Sequence, residues 1–300
     1  MELIEITPSC FYFANPTNLG YVRKEDTGLL IDAGLDASIA NKALRLLDER
    51  GWPLTHVFIT HAHADHYGGL HQIQKKRAMM TAAPAVEADV LRYPKWEALY
   101  LFQGNEPPQA MRNKFIEGKA ASVDVVCGEG RHRFGDLDVE LIPLPGHADH
   151  QMGVLVDGVL YAADSYVSLD YLFKHKIPFF TDLDKLLASQ EKLLSLADDL
   201  LGAVPSHGVF EKEFKNTVWG NIAFHNKMLD EILALVERES LPAGIDRLVK
   251  TVCDACEVEL SDVAMWALYR TAVVGYLMAA VRRGHLEMAI EENVLVFKKA

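Results

Sequence analysis

The stretch Ile59-Thr60-His61-Ala62-His63-Ala64-Asp65-His66-Tyr67-Gly68 decides how this 300-residue chain is read. His61, His63, Asp65 and His66 are metal-ligand side chains crowded into one short segment. The run His56-Val57-Phe58-Ile59-Thr60 before them is expected as a buried strand, and Gly68-Gly69-Leu70 after them as a turn into a helix. In extended chain His61, His63 and Asp65 share one face. A sharp turn at Asp65-His66 then presents His66 to a second, adjacent point. Neutral imidazole with carboxylate suits zinc, and also iron or manganese. A lone histidine at a strand end is ordinarily a surface residue, but three histidines and an aspartate at this spacing are poorly explained that way.

The H-x-H-x-D-H pattern at 61–66 resembles the signature of the metallo-β-lactamase superfamily. That resemblance implies an α+β fold, a four-layer αββα sandwich with one or two metals at the edge between its sheets. It also implies the remaining ligands, because Pro145-Gly146-His147, Ala163-Asp164 and Ser206-His207-Gly208 occur in family order. By resemblance His61, His63 and His147 hold one metal, Asp65, His66 and His207 hold the other, and Asp164 bridges. The implied cofactor is two Zn2+, with iron or manganese as alternatives. Within Gly28-Leu29-Leu30-Ile31-Asp32-Ala33-Gly34 the family places an aspartate under the metals, here Asp32. A ligating histidine needs an acceptor for its other ring nitrogen; a plain turn residue is the competing reading of Asp32.

Bulk properties narrow the class. The chain is 50% hydrophobic and 24% charged, which is ordinary for a globular protein. Its net charge of -12 makes nucleic acid a poor partner. Met1 to Ile6 lacks the basic and apolar regions of a signal peptide. Val263 to Val281 is apolar but carries Tyr269, Arg270 and Tyr276, so a buried helix is expected rather than a membrane span. Cys10, Cys127, Cys253 and Cys256 form no disulfide framework. A cytoplasmic protein is expected. The Cys253-Asp254-Ala255-Cys256 pair is read as helical core before zinc or redox chemistry.

Along the chain, short strands are expected at 3–6, 10–14 and 21–23, then the Asp32 strand, then a helix over 36–50 with a stripe of Ile39, Ala43, Leu44, Leu46 and Leu47. Residues 85–122 read as a helical insertion carrying Trp96, Tyr100 and Phe102, either a lid or helices packed on the core. Strands return at 123–127 and 131–144. Asp157-Gly158 between apolar runs marks a hairpin and puts Asp164 at the end of an inner strand. A helix over 183–200 and a short strand ending in His207 complete a catalytic domain, 1–218. Residues 219–300 read as a helix, a break at Leu241-Pro242-Ala243-Gly244, two more helices and a hairpin, resembling a winged-helix-like appendage. That unit is expected to pack on the catalytic domain or to mediate a homodimer.

The function expected is a dinuclear metal-dependent hydrolase acting on a small ester, thioester or lactone through a metal-bridging hydroxide. Asp65 would ligate and orient the water. By resemblance to related thioesterases and lactonases, Tyr166, two residues after the bridging Asp164, is the expected catalytic donor, with Lys174 or His175 behind it and Tyr171 and Phe173 in the same wall. The spacing and ligands set aside three branches. A flavodiiron-type relative would carry Glu in place of His63. The capped RNA-cleaving branch would insert a domain between Asp164 and His207. A secreted lactamase would carry a signal peptide. Two alternatives of other classes are a mononuclear iron persulfide dioxygenase and a regulatory protein with a vestigial site.

Overall fold

The computed structural model describes residues 1–238 and 243–300. Among these residues the strands form three sheets. In the first, β1 (Glu2–Glu5), β2 (Cys10–Ala14), β3 (Leu19–Lys24) and β4 (Thr27–Ile31) form an antiparallel meander. The parallel strands β5 (His56–Phe58), β6 (Met80–Pro84) and β7 (Val125–Cys127) extend it in order. Their crossovers carry α1 (Ala37–Asp48), the one-turn α2 (Ala64–Tyr67) and α3 (Leu70–Lys76), then α4 (Ala85–Arg92), α5 (Lys95–Leu101) and a 3-10 turn at Gln109–Met111. The strand β6 was not anticipated. Its Thr-Ala-Ala-Pro core has no alternation and ends in a proline, so period-2 reading misses it.

The second sheet has the order β12-β11-β10-β9-β8: β8 (Gly130–Phe134), β9 (Leu137–Pro143), β10 (Met152–Val156), β11 (Val159–Ala163) and β12 (Gly202–Pro205). The β10–β11 hairpin turns at Asp157-Gly158, both with positive φ, as the Asp-Gly pair requires. Between β11 and β12 lie α6 (Leu169–His175) and α7 (Leu183–Leu196).

Three apolar clusters make the layers. Tyr12, Val22, Leu29, Ile31 and Phe58 from the first sheet meet Leu141, Val154, Val159 and Tyr161 from the second. The outer face of the first sheet buries Tyr21, Leu30, Val57 and Ile59 against Ala43, Leu44 and Leu47 of α1, with Leu70 and Ile73 of α3. The outer face of the second buries Ile142, Leu160 and Ala203 against Leu193 of α7 and Val218 of α8 (Lys215–Arg238). The result is helix, sheet, sheet, helix.

The C-terminal unit comprises α8, β13 (Ala243–Gly244), α9 (Ile245–Ala255), α10 (Val263–Arg282), β14 (Leu286–Glu291) and β15 (Val294–Lys299). The sheet order β13-β15-β14 gives a winged-helix-like arrangement. Part of the expected break is instead a strand, because Ala243 and Gly244 pair with Phe297 and Val296; Leu241 and Pro242 lie outside the described residues. The expected boundary at 218/219 falls inside α8. The unit shares a core with the sandwich layers: Phe180, Leu183, Leu186 and Leu187 pack with Ile232, Val249, Val273 and Tyr276. By length and composition α10 could cross a membrane, yet half of its apolar window is buried here. It packs against α5, α7, α8 and α9.

Ion pairs reinforce this seam. Arg282 Nε donates to Asp184 Oδ2 at 2.7 Å, Arg282 Nη2 to Asp182 Oδ1 at 2.8 Å, and Arg283 Nε to Asp184 Oδ1 at 2.9 Å. The acids begin α7 and the arginines end α10, so each set also complements a helix dipole. Burial pushes Asp184 up, but the two guanidinium groups outweigh it and hold its carboxyl below the usual range. A depressed carboxyl stabilises the fold above its unfolded-state value, and that contribution is lost as pH falls through the folded value. Asp184→Asn is therefore expected to destabilise the protein by about 1 kcal/mol or less at neutral pH, given its partial exposure. In thermal melts across pH, the difference from wild type should shrink toward zero below the carboxylate range.

Candidate metal centre

The site lies where strands of both sheets end on one edge. Asp32 follows β4, His61 and His63 follow β5, His147 follows β9, Asp164 follows β11, and His207 follows β12. Backbone bonds lash the two sheets together there, from Asn18 N to Ser206 O at 2.7 Å and from Met152 N to Thr60 O at 3.1 Å. The chain turns one residue earlier than expected. The helix α2 starts at Ala64, so Asp65 leaves a helical turn rather than an extended strand. Its first turn carries both Asp65 and His66, which is how two adjacent residues reach one point.

Ligand-capable atoms of His61, His63 and His147 lie within 4.8 Å of one another, and so do those of Asp65, His66 and His207. Asp164 Oδ2 stands between the sets, 3.3 Å from His147 Nε2, 3.4 Å from His66 Nε2 and 3.4 Å from His207 Nε2. His207 Nε2 is 3.5 Å from Asp65 Oδ2. Ligands about 2.0–2.2 Å from a tetrahedral zinc ion sit roughly 3.3–3.5 Å apart, so the spacing fits such a cation. His61 Nε2, His66 Nε2 and Asp164 Oδ1 are buried with no hydrogen-bond partner, as donor atoms awaiting a cation would be.

The outer nitrogens are held. His66 Nδ1 lies 2.8 Å from Asp32 Oδ2, and Asp32 also accepts from Thr60 N at 2.8 Å and from Thr60 Oγ1 at 3.0 Å. His147 Nδ1 donates to Phe179 O at 3.0 Å and His207 Nδ1 to Pro16 O at 2.8 Å. These bonds select the tautomer whose Nε2 lone pair faces inward. Asp65 Oδ2 accepts from Thr17 Oγ1 at 2.9 Å.

Electrostatics divide the two sets. Burial, then neighbouring imidazoles, pull His61 well below its ordinary value and His63 down to about 3. Burial also lowers His147. At His66 and His207 burial works the same way, but Asp164 and Asp65 outweigh it and raise both imidazoles well above the usual value. Burial therefore dominates in the first set, and the two carboxylates dominate at His66 and His207.

Glu87, on α4 of the insertion, was missed by sequence reasoning. It accepts from Ala62 N at 2.8 Å and from His150 N at 3.1 Å. One buried carboxylate therefore ties the His61–His63 loop to the loop after His147. A glutamate near the start of an amphipathic helix carries no local signal of this, since its partners lie 25 and 63 residues away.

Of the expected substrate-wall residues, Tyr166 lines a small cavity beside His147, Asp164 and His207, and its buried hydroxyl has no hydrogen-bond partner. Its ring is 1% exposed, stacks on Phe214 at 6.1 Å, and joins the core beneath the second sheet. The charge near its hydroxyl is Glu211. Tyr171 lies against the site as well: its ring stacks on His207 at 4.4 Å and 20°, and both Asp164 and Asp65 act on its hydroxyl. His175 stacks on Tyr171 at 4.2 Å, while Phe173 and Lys174 are exposed. Phe179 covers the other side, 5.3 Å from His63 and 5.6 Å from His147. In the insertion Trp96 and Tyr100 are exposed; Phe102 packs, as Phe179 and Trp266 of α10 do, against a buried cluster that includes Leu101, Met111 and Ala267. Burial raises the Cys253 thiol to about 11 and also raises Cys256, which suits core packing over thiolate chemistry.

A family profile for the metallo-beta-lactamase superfamily matches residues 12–207, and every residue of the two sets falls within it. The chain belongs to the metallo-beta-lactamase superfamily. A hydroxyacylglutathione hydrolase from Rhodopseudomonas palustris is 31% identical over 155 residues, 51% of this chain and 49% of the relative. One from Bradyrhizobium sp. is 28% identical over 187 residues, 61% and 59%. The chain spans about half the length of several such curated relatives. Solved structures show the same fold over the full chain. A beta-lactamase domain protein from Burkholderia ambifaria superposes with a TM-score of 0.75 at 17% identity, covering 100% of this chain and 94% of that one. A metallo-beta-lactamase family protein from Thermus thermophilus gives 0.73 at 18% identity, covering 99% and 100%. The superfamily fold is therefore shared together with the C-terminal unit.

Glu87→Gln replaces one acceptor by an amide N–H facing a backbone N–H. Residues that orient metal-binding loops typically contribute about 10- to 100-fold in affinity. Competition with a chromogenic chelator should show that loss in Glu87→Gln, while the exposed Glu106→Gln should bind metal as wild type does.

Proposed function

We propose that the chain is a metal-dependent hydrolase with a dinuclear centre, acting on a small ester or thioester. The observation that carries this is the position of Asp164 Oδ2, within 3.4 Å of histidine nitrogens from both sets. His61, His63 and His147 would hold one cation, Asp65, His66 and His207 the other, with Asp164 shared. Two such cations supply hydroxide at neutral pH and an electrophile for the carbonyl oxygen. The donor set of imidazole and carboxylate favours zinc, with iron or manganese as alternatives.

This chain's own residues do the rest. Asp65, held by Thr17 and His207, would orient the attacking hydroxide. Tyr171 stays protonated, because burial and the charges of Asp164 and Asp65 raise its phenol. It is the donor proposed for the negative charge developing on the substrate's carbonyl oxygen; Tyr166, which lines the same cavity with its hydroxyl unpartnered, is the competing donor. Phe179 excludes bulk water beside His63 and His147. The complete second set favours hydrolysis over a mononuclear iron oxygenase. The relatives named hydroxyacylglutathione hydrolase favour a thioester. Cytoplasmic location, a small-molecule substrate and a C-terminal unit that packs rather than binds nucleic acid belong to the same proposal.

Elemental analysis after reconstitution should find up to two transition-metal ions per chain, and Asp164→Ala should lose at least one. A stoichiometry that never exceeds one would refute the dinuclear reading. On whichever ester or thioester a turnover panel selects, Tyr171→Phe should lower kcat by about 100- to 1000-fold with metal content unchanged. Tyr166→Phe should stay near wild type; the reverse order would return the donor role to Tyr166.

A further inference from the structure

A small cavity of about 50 Å³ begins beside His147, Asp164 and His207 and runs inward beneath α6. It is lined by His147, Asp164 and His207 but not by His61, His63, Asp65 or His66, so it adjoins the space the cations would take. Its walls are mostly apolar, set by Val167, Leu172 of α6, Phe179 and Leu186 of α7, with the phenols of Tyr166 and Tyr171 among them. Its floor is Asn221 and His225 of α8. The floor's polar groups are already engaged. Asn221 Oδ1 accepts from Val167 N at 3.0 Å, and its Nδ2 donates to Val167 O and Thr217 O, each at 2.8 Å. His225 Nδ1 is 2.8 Å from Tyr276 Oη, and Phe180 packs edge-on against both rings at 5.5 and 4.8 Å. A wall so braced does not yield easily to a longer guest.

A water-sized position needs roughly 10–15 Å³ of such volume, so the cavity holds about four non-hydrogen atoms. A mostly apolar pocket of that size, adjoining the bridging carboxylate, suits the non-reacting carbon chain of a carbonyl substrate. Gln190 Oε1, buried on its wall without a partner, can accept one hydrogen bond from a substituent on that chain.

We propose that this cavity seats the acyl chain of the substrate and restricts it to about two to four carbons, a limit imposed by the α8–α10 wall. The inference rests on the ester or thioester reading for its chemistry, but it can be tested apart from turnover. The probe is a series of straight-chain carboxylates, acetate to octanoate, titrated calorimetrically into the zinc-loaded full chain. Affinity should peak at propionate or butyrate and fall at least about tenfold by hexanoate, because overfilling a packed site is unfavourable. Leu186→Ala should move that fall to longer chains. Leu172→Ala serves the same purpose should the first variant not fold. A steady rise in affinity with chain length, no carboxylate binding at all, or an unmoved profile in a folded variant would overturn the pocket. A thioester series separates the two ideas. Turnover of long and short chains alike overturns the pocket alone. A length-limited carboxylate profile without turnover of any ester or thioester supports the pocket and overturns the reaction class.

Discussion

Five imidazoles and two carboxylates meet at one sheet edge within a few ångströms, and four of the seven are buried. Gathering that many polar groups away from water is unfavourable unless each is bonded or shares a cation. Much of the surrounding structure can be understood as meeting that condition. Asp32, Phe179 O and Pro16 O take the outer ring nitrogens, Thr17 takes Asp65, and Glu87 pins two ligand loops by their backbone. What is left unbonded is the inward-facing set of His61 Nε2, His66 Nε2 and Asp164 Oδ1.

The constraint also explains why the sandwich needs its additions. The parallel half of the first sheet and the β11–β12 pair of the second both end at this edge, which brings loops together but leaves them open to solvent. The insertion supplies Glu87 from below. The C-terminal unit supplies the wall: α10 packs with Phe102 and Phe179 on one side and with Phe180 and Leu186 on the other. The appendage thus shares a core with the sandwich, and the Arg282–Asp184 pairs at the seam add directional contacts to that apolar interface.

Legibility from sequence varied with how local the cause was. The 61–66 cluster was readable because strand, ligands and turn are contiguous. Asp157-Gly158 was readable because positive φ at two central positions selects those residues. The strand β6 was not, because its short, unpatterned run becomes a strand through parallel partners on both sides. Tyr166 and Tyr171 are both tyrosines after Asp164, and the family resemblance favoured the nearer one. After β11 the chain passes through Ser165 before entering α6, which sends Tyr166 into the core beside Phe214 and lays Tyr171 on His207.

The sequence by itself determined the ligand types, their order, the superfamily they resemble and the layers that the apolar periods demand. These depend on neighbours within a few residues, where geometry is set by the backbone. The tertiary structure alone decided which nitrogen of His66, His147 and His207 faces inward, how Tyr166 and Tyr171 sit about the cavity, that Glu87 spans two loops, and where the cavity beneath α6 ends. Each of these depends on atoms brought together across dozens to hundreds of residues, and a linear chain carries no record of that distance.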